Sequence, residues 1–195
     1  EILVMTSGNI SGEPIIYKNN QALEKLNNIA DYYLLNNRGI YMSIDDSVTR
    51  VIKNRERVIR SARGYSPKSI FMNTKSEILA LGSELKNTIS VSNKNDVFMS
   101  EYIGDLKNIE TTNKFERVIS HYLKIYSIKP KIIVYDMHPS FVYRDINLKY
   151  RKWSDYLEAF HENKTGSDFC RYHCHYYRCY QSCKRCAFAI FLSVQ

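Results

Sequence analysis

Between Ile78 and Tyr135 the apolar residues change period twice, and that change commits the chain to a fold of mixed helix and strand. Ile78-Leu79-Ala80-Leu81 is an unbroken apolar run stopped by Gly82, the pattern of a buried strand. Thr88-Ile89-Ser90-Val91 alternates, and Asp96-Val97-Phe98-Met99 makes a third short strand. Phe115, Val118, Ile119, Tyr122, Leu123 and Tyr126 then recur at helical spacing, behind Thr111 or Thr112 as a cap. Lys129-Pro130 ends that helix, and Ile132-Ile133-Val134-Tyr135 returns as a fully buried strand. The order β-β-β-α-β is an α/β (α+β) pattern.

Upstream of this region, Leu3-Val4-Met5 feeds into Thr6-Ser7-Gly8-Asn9-Ile10-Ser11-Gly12, a loop of hydroxyl and amide side chains. Gly8 and Gly12 there allow positive φ. Ala22, Leu23, Leu26 and Ile29 mark a short amphipathic helix over 20–28. Ala30–Leu35 and Ile40–Met42 read as strands, as do Val48–Ile52 and Val58–Arg60 on either side of a charged turn, Lys53–Arg57. Gly64, Ser66, Pro67 and Asn73 leave 64–76 without a period, which suits a linker. The expected units are therefore 1–63, the linker 64–76, 77–141, and a compositionally different tail, 142–195.

Composition narrows the function classes. The 195 residues are 44% hydrophobic and carry a formal charge of +8, enough apolar content for a core and enough basic excess to favour anionic partners. The excess is spread along the chain, so nucleotides suit it as well as RNA does. No apolar run is long enough to span a bilayer and no basic segment leads into a long apolar one, so a soluble, cytoplasmic protein without a membrane partner is expected.

Several stretches could carry chemistry. The loop of Thr6, Ser7 and Asn9 offers side-chain and backbone donors to a phosphate, or simply turns the chain into the next helix. Ser47, Arg50, Arg60 and Arg63, with the carboxylates Asp45 and Asp46, surround one strand pair, where arginines can hold phosphates and paired carboxylates can hold Mg²⁺, or where both can be solvated. Lys86, Asn87 and Thr88 follow Gly82 in a hairpin able to curl around a phosphate. Asp136 and His138 stand where a buried strand exits, the usual place for ligand groups in open α/β sheets.

The residues also carry a resemblance. Thr6-Ser7-Gly8-Asn9-Ile10-Ser11-Gly12 resembles the Thr-Ser-x-Asn-x-Ser-Gly signature of YrdC-like domains, and with Glu13-Pro14-Ile15 behind it is similar to the version in the hydrogenase-maturation carbamoyltransferases of the HypF family. Asp45-Asp46-Ser47-Val48-Thr49-Arg50, with Arg60 and Arg63-Gly64-Tyr65-Ser66-Pro67, looks like that family's Asp-Asp-Ser-Val-x-Arg and Arg-x-x-Arg-Gly-Tyr-x-Pro. Gly82 to Thr88 resembles Gly-x-Glu-Leu-Lys-Asn-Thr, and Tyr135-Asp136-Met137-His138-Pro139 resembles a stretch with Asp-Leu-His-Pro. Ser100-Glu101-Tyr102-Ile103-Gly104-Asp105-Leu106 is similar to Ser-Gln-His-Ile-Gly-Asp-Leu, except that Glu101 replaces the amide and Tyr102 the imidazole.

That resemblance, over about residues 1 to 141, implies the end of a YrdC-like twisted sheet, then the first β-β-β-α-β portion of an RNase-H or actin-like domain, then an irregular tail. It implies nucleotide binding by Thr6, Ser7, Asn9, Ser47, Arg50, Arg60, Arg63, Lys86, Asn87 and Thr88, catalysis by Asp136 and His138, and no metal ligand in this stretch. The family activity would be ATP-dependent activation of carbamate, derived from carbamoyl phosphate, as carbamoyl-adenylate. Transfer to the C-terminal cysteine of a HypE-type acceptor would follow, with ATP and Mg²⁺ as cofactors and Zn²⁺ in the full-length family. The chain is expected to be an internal fragment, inactive alone. The rival readings are a YrdC-like module binding nucleotide or double-stranded RNA without catalysis, and an O-carbamoyltransferase acting on a small molecule, whose domain order is reversed.

The tail stands apart. Trp153–Phe160 reads as a weak helix, and all five cysteines lie at 170, 174, 179, 183 and 186 among tyrosine, histidine and arginine. Only Cys183 and Cys186 have the spacing of a zinc-ligand pair. A reading-frame change near residue 141 accounts for the switch in composition better than a metal module does.

Overall fold

The computed structural model describes residues 2–136 and 156–160, the last five together with Asp136 as backbone only. Among these residues the strands form two sheets. Helix α1 (Asn19–Lys25) precedes the first, a ribbon of β1 (Val48–Ile52) and β2 (Arg55–Arg60). Lys53 and Asn54, both at positive φ, make the turn between them, so β2 starts three residues earlier than the sequence pattern implied. The strands expected at 30–35 and 40–42 do not form. Tyr32 and Leu34 there are fully exposed, so strand propensity meets neither a pairing partner nor a face to bury among the described residues.

The second sheet has the order β3-β6-β5-β4-β7-β8. Its strands are β3 (Lys68–Phe71), β4 (Glu77–Ala80), β5 (Ser90–Asn93), β6 (Asp96–Met99), β7 (Ile132–Asp136) and β8 (Tyr156–Phe160). Pairing is antiparallel from β3 to β4 and parallel through β4, β7 and β8. Two stretches read otherwise from sequence are strands here. The segment taken for a linker contributes β3 at one edge, where Ile70 pairs with Val97. The stretch read as a weak helix contributes β8, whose Leu157 pairs with Ile133, because the exposed ladder of β7 offers a partner that local propensity does not see.

Helix α2 (Ile109–Ile125) covers the sheet between β6 and β7. Its N-cap is Asn108, whose side chain accepts from the Glu110 N–H at 2.8 Å. The Thr112 hydroxyl instead donates to the Leu106 and Asn108 carbonyls, so neither threonine caps. The helix stops well before Pro130. Ser127 takes φ +53°, and Ile128 N–H bonds the Leu123 carbonyl at 2.9 Å, a closure that satisfies the last carbonyls.

Strand alternation divides the core between the two faces. Leu79, Leu81, Ile89, Val91 and Ile133 pack with Phe115, Val118, Ile119 and Leu123 of α2, all buried, while Ile78, Ala80 and Val134 form a smaller cluster. Met42 joins the larger core from the first part of the chain.

Candidate functional site

The N-terminal loop is held by its own side chains. Asn9 Nδ2 donates to the Ile10 and Glu13 carbonyls at 3.0 and 2.9 Å, while Asn9 Oδ1 accepts from Ser7 Oγ. Gly12 takes φ +81°, but Gly8 does not enter the left-handed region. Gly8 instead backs onto Leu26 beyond α1. Asn9 thus shapes the loop and its amide is consumed in doing so; Thr6 and Ser7 remain at an exposed rim.

Around β1 and β2 the same division appears. Ser47 Oγ donates to the Arg63 carbonyl at 2.9 Å and accepts from Ala62 N–H at 2.8 Å, which ties the start of β1 to the turn after β2. Arg63 reaches the Ile44 carbonyl and lies 3.7 Å from Asp46, both partners in solvent. Arg50 is exposed in β1, directly across from Arg57. Arg60 ends β2 opposite Val48, but its side chain reaches out of the ribbon: its guanidinium sits 4.6 Å from the Tyr102 ring centroid. Asp45 and Asp46 do not converge as a metal-holding pair would. Asp45 faces Lys114 of α2 at 2.8 Å, with the lysine fully buried, and Asp46 faces Arg63.

The third group lies at the carboxyl end of the sheet. Leu79 and Ala80 of β4 pair with Ile133 and Val134 of β7, so the loop after β4 and Asp136 at the end of β7 share one edge. That loop, 81–89, is tightly wound. Gly82 has φ +71°, and Lys86 is held at φ +50° by a 2.7 Å bond from its N–H to Asp105. Asn87 is buried; its N–H and carbonyl pair with Gly104 and Ile103, and its Nδ2 donates to the Leu81 and Ser83 carbonyls. Its Oδ1 is buried with no donor among the described residues. The Lys86 side chain is exposed, so loop 81–89 carries a solvent-facing lysine next in sequence to a residue with a buried, unpaired acceptor. Thr88 is half-buried beside them, and Asp136 is placed at the same edge by its backbone; His138 lies outside the described residues.

Residues 73–176 match the family model of the HypF Kae1-like domain, more than half of the chain. The chain belongs to the HypF family. Residues 1–62 match a second model, the Sua5/YciO/YrdC family described as telomere recombination. Carbamoyltransferase HypF of Synechocystis sp. is 38% identical over 141 residues, which is 71% of this chain and 18% of that protein. Carbamoyltransferase HypF2 of Cupriavidus necator is 37% identical over 144 residues, 72% of this chain and 18% of that one. A crystal structure of full-length HypF in its phosphate- and nucleotide-bound form superposes with TM-score 0.69 at 42% identity, covering 80% of this chain and 24% of that one. T. kodakarensis HypF gives 0.70 at 33% identity, covering 80% and 20%. The chain therefore spans about a fifth of the length of the HypF proteins it matches. The match to the Kae1-like domain runs to residue 176, beyond residue 141 where the resemblance was read to stop.

Sequence reasoning overlooked two features of this HypF segment. Lys114 sits among apolar residues of α2 and is the buried partner of Asp45. Glu101 is buried too: one carboxylate oxygen accepts from Tyr122 at 3.0 Å, while the other has no donor among the described residues. Burial and the neighbouring carboxylate together push the Tyr122 phenol far above its ordinary pKa. A charged residue at a core-facing helical register was the available signal for Lys114. The five cysteines lie outside the described residues, and no helix among those described is long and apolar enough to cross a membrane.

Proposed function

We propose that this chain contributes parts of two sites of a HypF-type carbamoyltransferase, one that forms carbamoyl-adenylate and one that passes the carbamoyl group on. In the first step carbamate oxygen attacks the α-phosphorus of ATP and pyrophosphate leaves; in the second, the thiolate of an acceptor's C-terminal cysteine, of the HypE kind, attacks the carbamoyl carbon and AMP leaves. Adenylation supplies the leaving group that carbamate lacks, and cationic donors stabilise the departing phosphate. The observation that carries this reading is loop 81–89: an exposed lysine side chain and the unpaired buried Oδ1 of Asn87 in one tightly wound loop, at the sheet edge shared with Asp136. A buried acceptor without a donor suits a ligand hydroxyl or a metal-bound water.

The individual roles follow from what each side chain has left to offer. Lys86, Thr88, Arg50, Arg63 and Thr6 keep groups available for phosphates, the Ser7 hydroxyl would have to release Asn9 to join them, and Mg²⁺ arrives as the ATP complex to neutralise phosphate charge. Ser47, Asn9 and the amide nitrogen of Asn87 shape the loops instead. Asp136 and His138 stay proposed as the acid–base pair of the transfer step.

Isothermal titration of the 195-residue chain with Mg·ATP tests the reading. Binding is expected, weakened roughly five- to tenfold by Lys86→Ala, with no carbamoyl-phosphate-dependent release of AMP by the chain alone. Absence of nucleotide binding together with salt-dependent binding of duplex RNA would replace it with a nucleic-acid role. Turnover to AMP by the chain alone would overturn the claim that its sites are partial.

A further inference from the structure

Tyr102 is tied to the first part of the chain through three of its groups. Its N–H donates to the Ser61 carbonyl at 2.8 Å, its ring lies 4.6 Å from the Arg60 guanidinium, and its carbonyl is 3.5 Å from Lys114 Nζ, which also holds Asp45 at 2.8 Å. Ser66 Oγ, itself 2.9 Å from Ser61 Oγ, reaches the Ser100 carbonyl at 3.4 Å. The Asp45 carbonyl in turn accepts from Arg63 N–H, and Ser47 fastens 62–63 to the start of β1. On its other side, the 100–106 segment fixes loop 81–89, with Gly104 paired to Asn87 and Asp105 bonded to Lys86 N–H. One short segment therefore touches the residues on either side of Arg63, namely Arg60, Ser61 and Ser66, and the loop that carries Lys86.

We propose that Tyr102 is a positioning residue, a latch whose aromatic face captures Arg60 and so sets the Arg63 turn of the first site in register with the Lys86 loop of the second. Arg60 is on this account a structural cation and not a phosphate ligand. A guanidinium over a tyrosine ring in a half-buried setting is a modest attraction, enough to hold one loop but not to hold the fold. Burial raises the phenol's pKa, with Asp105 adding to the shift and Arg60 opposing it, so the ring stays neutral at physiological pH. The positioning role rests on the reading of Arg63 and Lys86 as phosphate contacts; the latch itself does not.

Hydrogen exchange of the full chain, followed by mass spectrometry with and without Mg·ATP, separates the two. Tyr102→Phe keeps the ring, Tyr102→Leu keeps apolar volume without a π face, and Tyr102→Ala keeps neither. Expected is a fall in protection of 60–66 of at least threefold in Tyr102→Leu and more in Tyr102→Ala. Tyr102→Phe should match the parent, and protection of α2 residues 115–123 should be unchanged throughout. If Tyr102→Leu protects as well as Tyr102→Phe, or if α2 loosens together with 60–66, the latch is refuted. The affinity for Mg·ATP should drop several-fold in Tyr102→Leu and not in Tyr102→Phe; equal affinities with a loosened 60–66 refute the positioning role. If the parent chain and every variant fail to bind Mg·ATP while the exchange pattern holds, the nucleotide reading fails and the latch stands.

Discussion

At Gly82 a β-carbon would lie 2.1 Å from the Thr88 carbonyl oxygen, on a backbone already at φ +71°. Both costs fall on Gly82→Ala: a steric overlap with main chain that cannot swing away, and a left-handed conformation that alanine disfavours. Gly82→Ala should therefore destabilise the chain by about 2–4 kcal/mol in urea unfolding, in the range of strained backbone substitutions. An unchanged midpoint would mean that the crossing of residues 82 and 88 is not maintained in solution. Lys86 shows the same economy of conformation. It is not glycine, yet it takes φ +50°, and the bond from its N–H to Asp105 holds it there. Local strain of this kind concentrates where a loop is required to present a group in one direction.

Among the elements, α2 does more than cover the sheet, because its Lys114 reaches across to Asp45. The lysine is 1% exposed and the aspartate 22%, and that inequality decides which partner matters more. Asp45→Ala strands a fully buried ammonium and is expected to cost about 3–5 kcal/mol, whereas Lys114→Met leaves a carboxylate that water can reach and should cost clearly less. Thermal denaturation of the two variants side by side checks the order; equal losses would show that Lys114 finds water. The strong elements were legible in sequence for a physical reason. The helical period of Phe115, Val118, Ile119, Tyr122 and Leu123, and the apolar runs of β4 and β7, record burial directly, and burial is what the residues report. Pairing is not recorded in that way. β3 was hidden in a stretch without a period because its partner, β6, supplies the ladder, and β8 carries no strand pattern stronger than a helical one. At the proposed site, motifs singled out Lys86, Asn87 and Arg63 but could not say which polar groups the loops use up. Asn9 bonds the carbonyls of its own loop, Ser47 bonds the Arg63 carbonyl, and the Arg60 guanidinium lies against the Tyr102 ring; contacts of this kind leave no trace in residue spacing.

For the molecule as a whole, the first part of the chain is laid along α2. Lys25 at the end of α1 bridges Glu13 and Glu110, Tyr17 bonds Arg117, and Tyr41 packs beside His121 with ring centroids 5.0 Å apart. Hydrogen bonds to the two carboxylates raise the Lys25 pKa above its ordinary 10.5, and the bond from Lys25 lowers that of Glu110 below 4.5. The Glu110 contribution is complete above pH 4.5 and lost as the pH falls through its lowered value; the Lys25 contribution is complete below pH 10.5 and lost as the pH rises through its raised one. The difference in Tm between the parent chain and Lys25→Met should thus be largest between those limits and shrink at pH 3 and above pH 11. A difference that ignores pH would show that Lys25 acts through its methylenes alone. The order of strands in the larger sheet sets a constraint of another kind, on synthesis. β3 emerges from the ribosome before β4 and β5, yet its ladder belongs to β6. Its pairing must wait until residues 96–99 have been made, so throughout that interval the nascent chain carries Ile70 and Phe71 on a strand whose hydrogen-bonding partner does not yet exist.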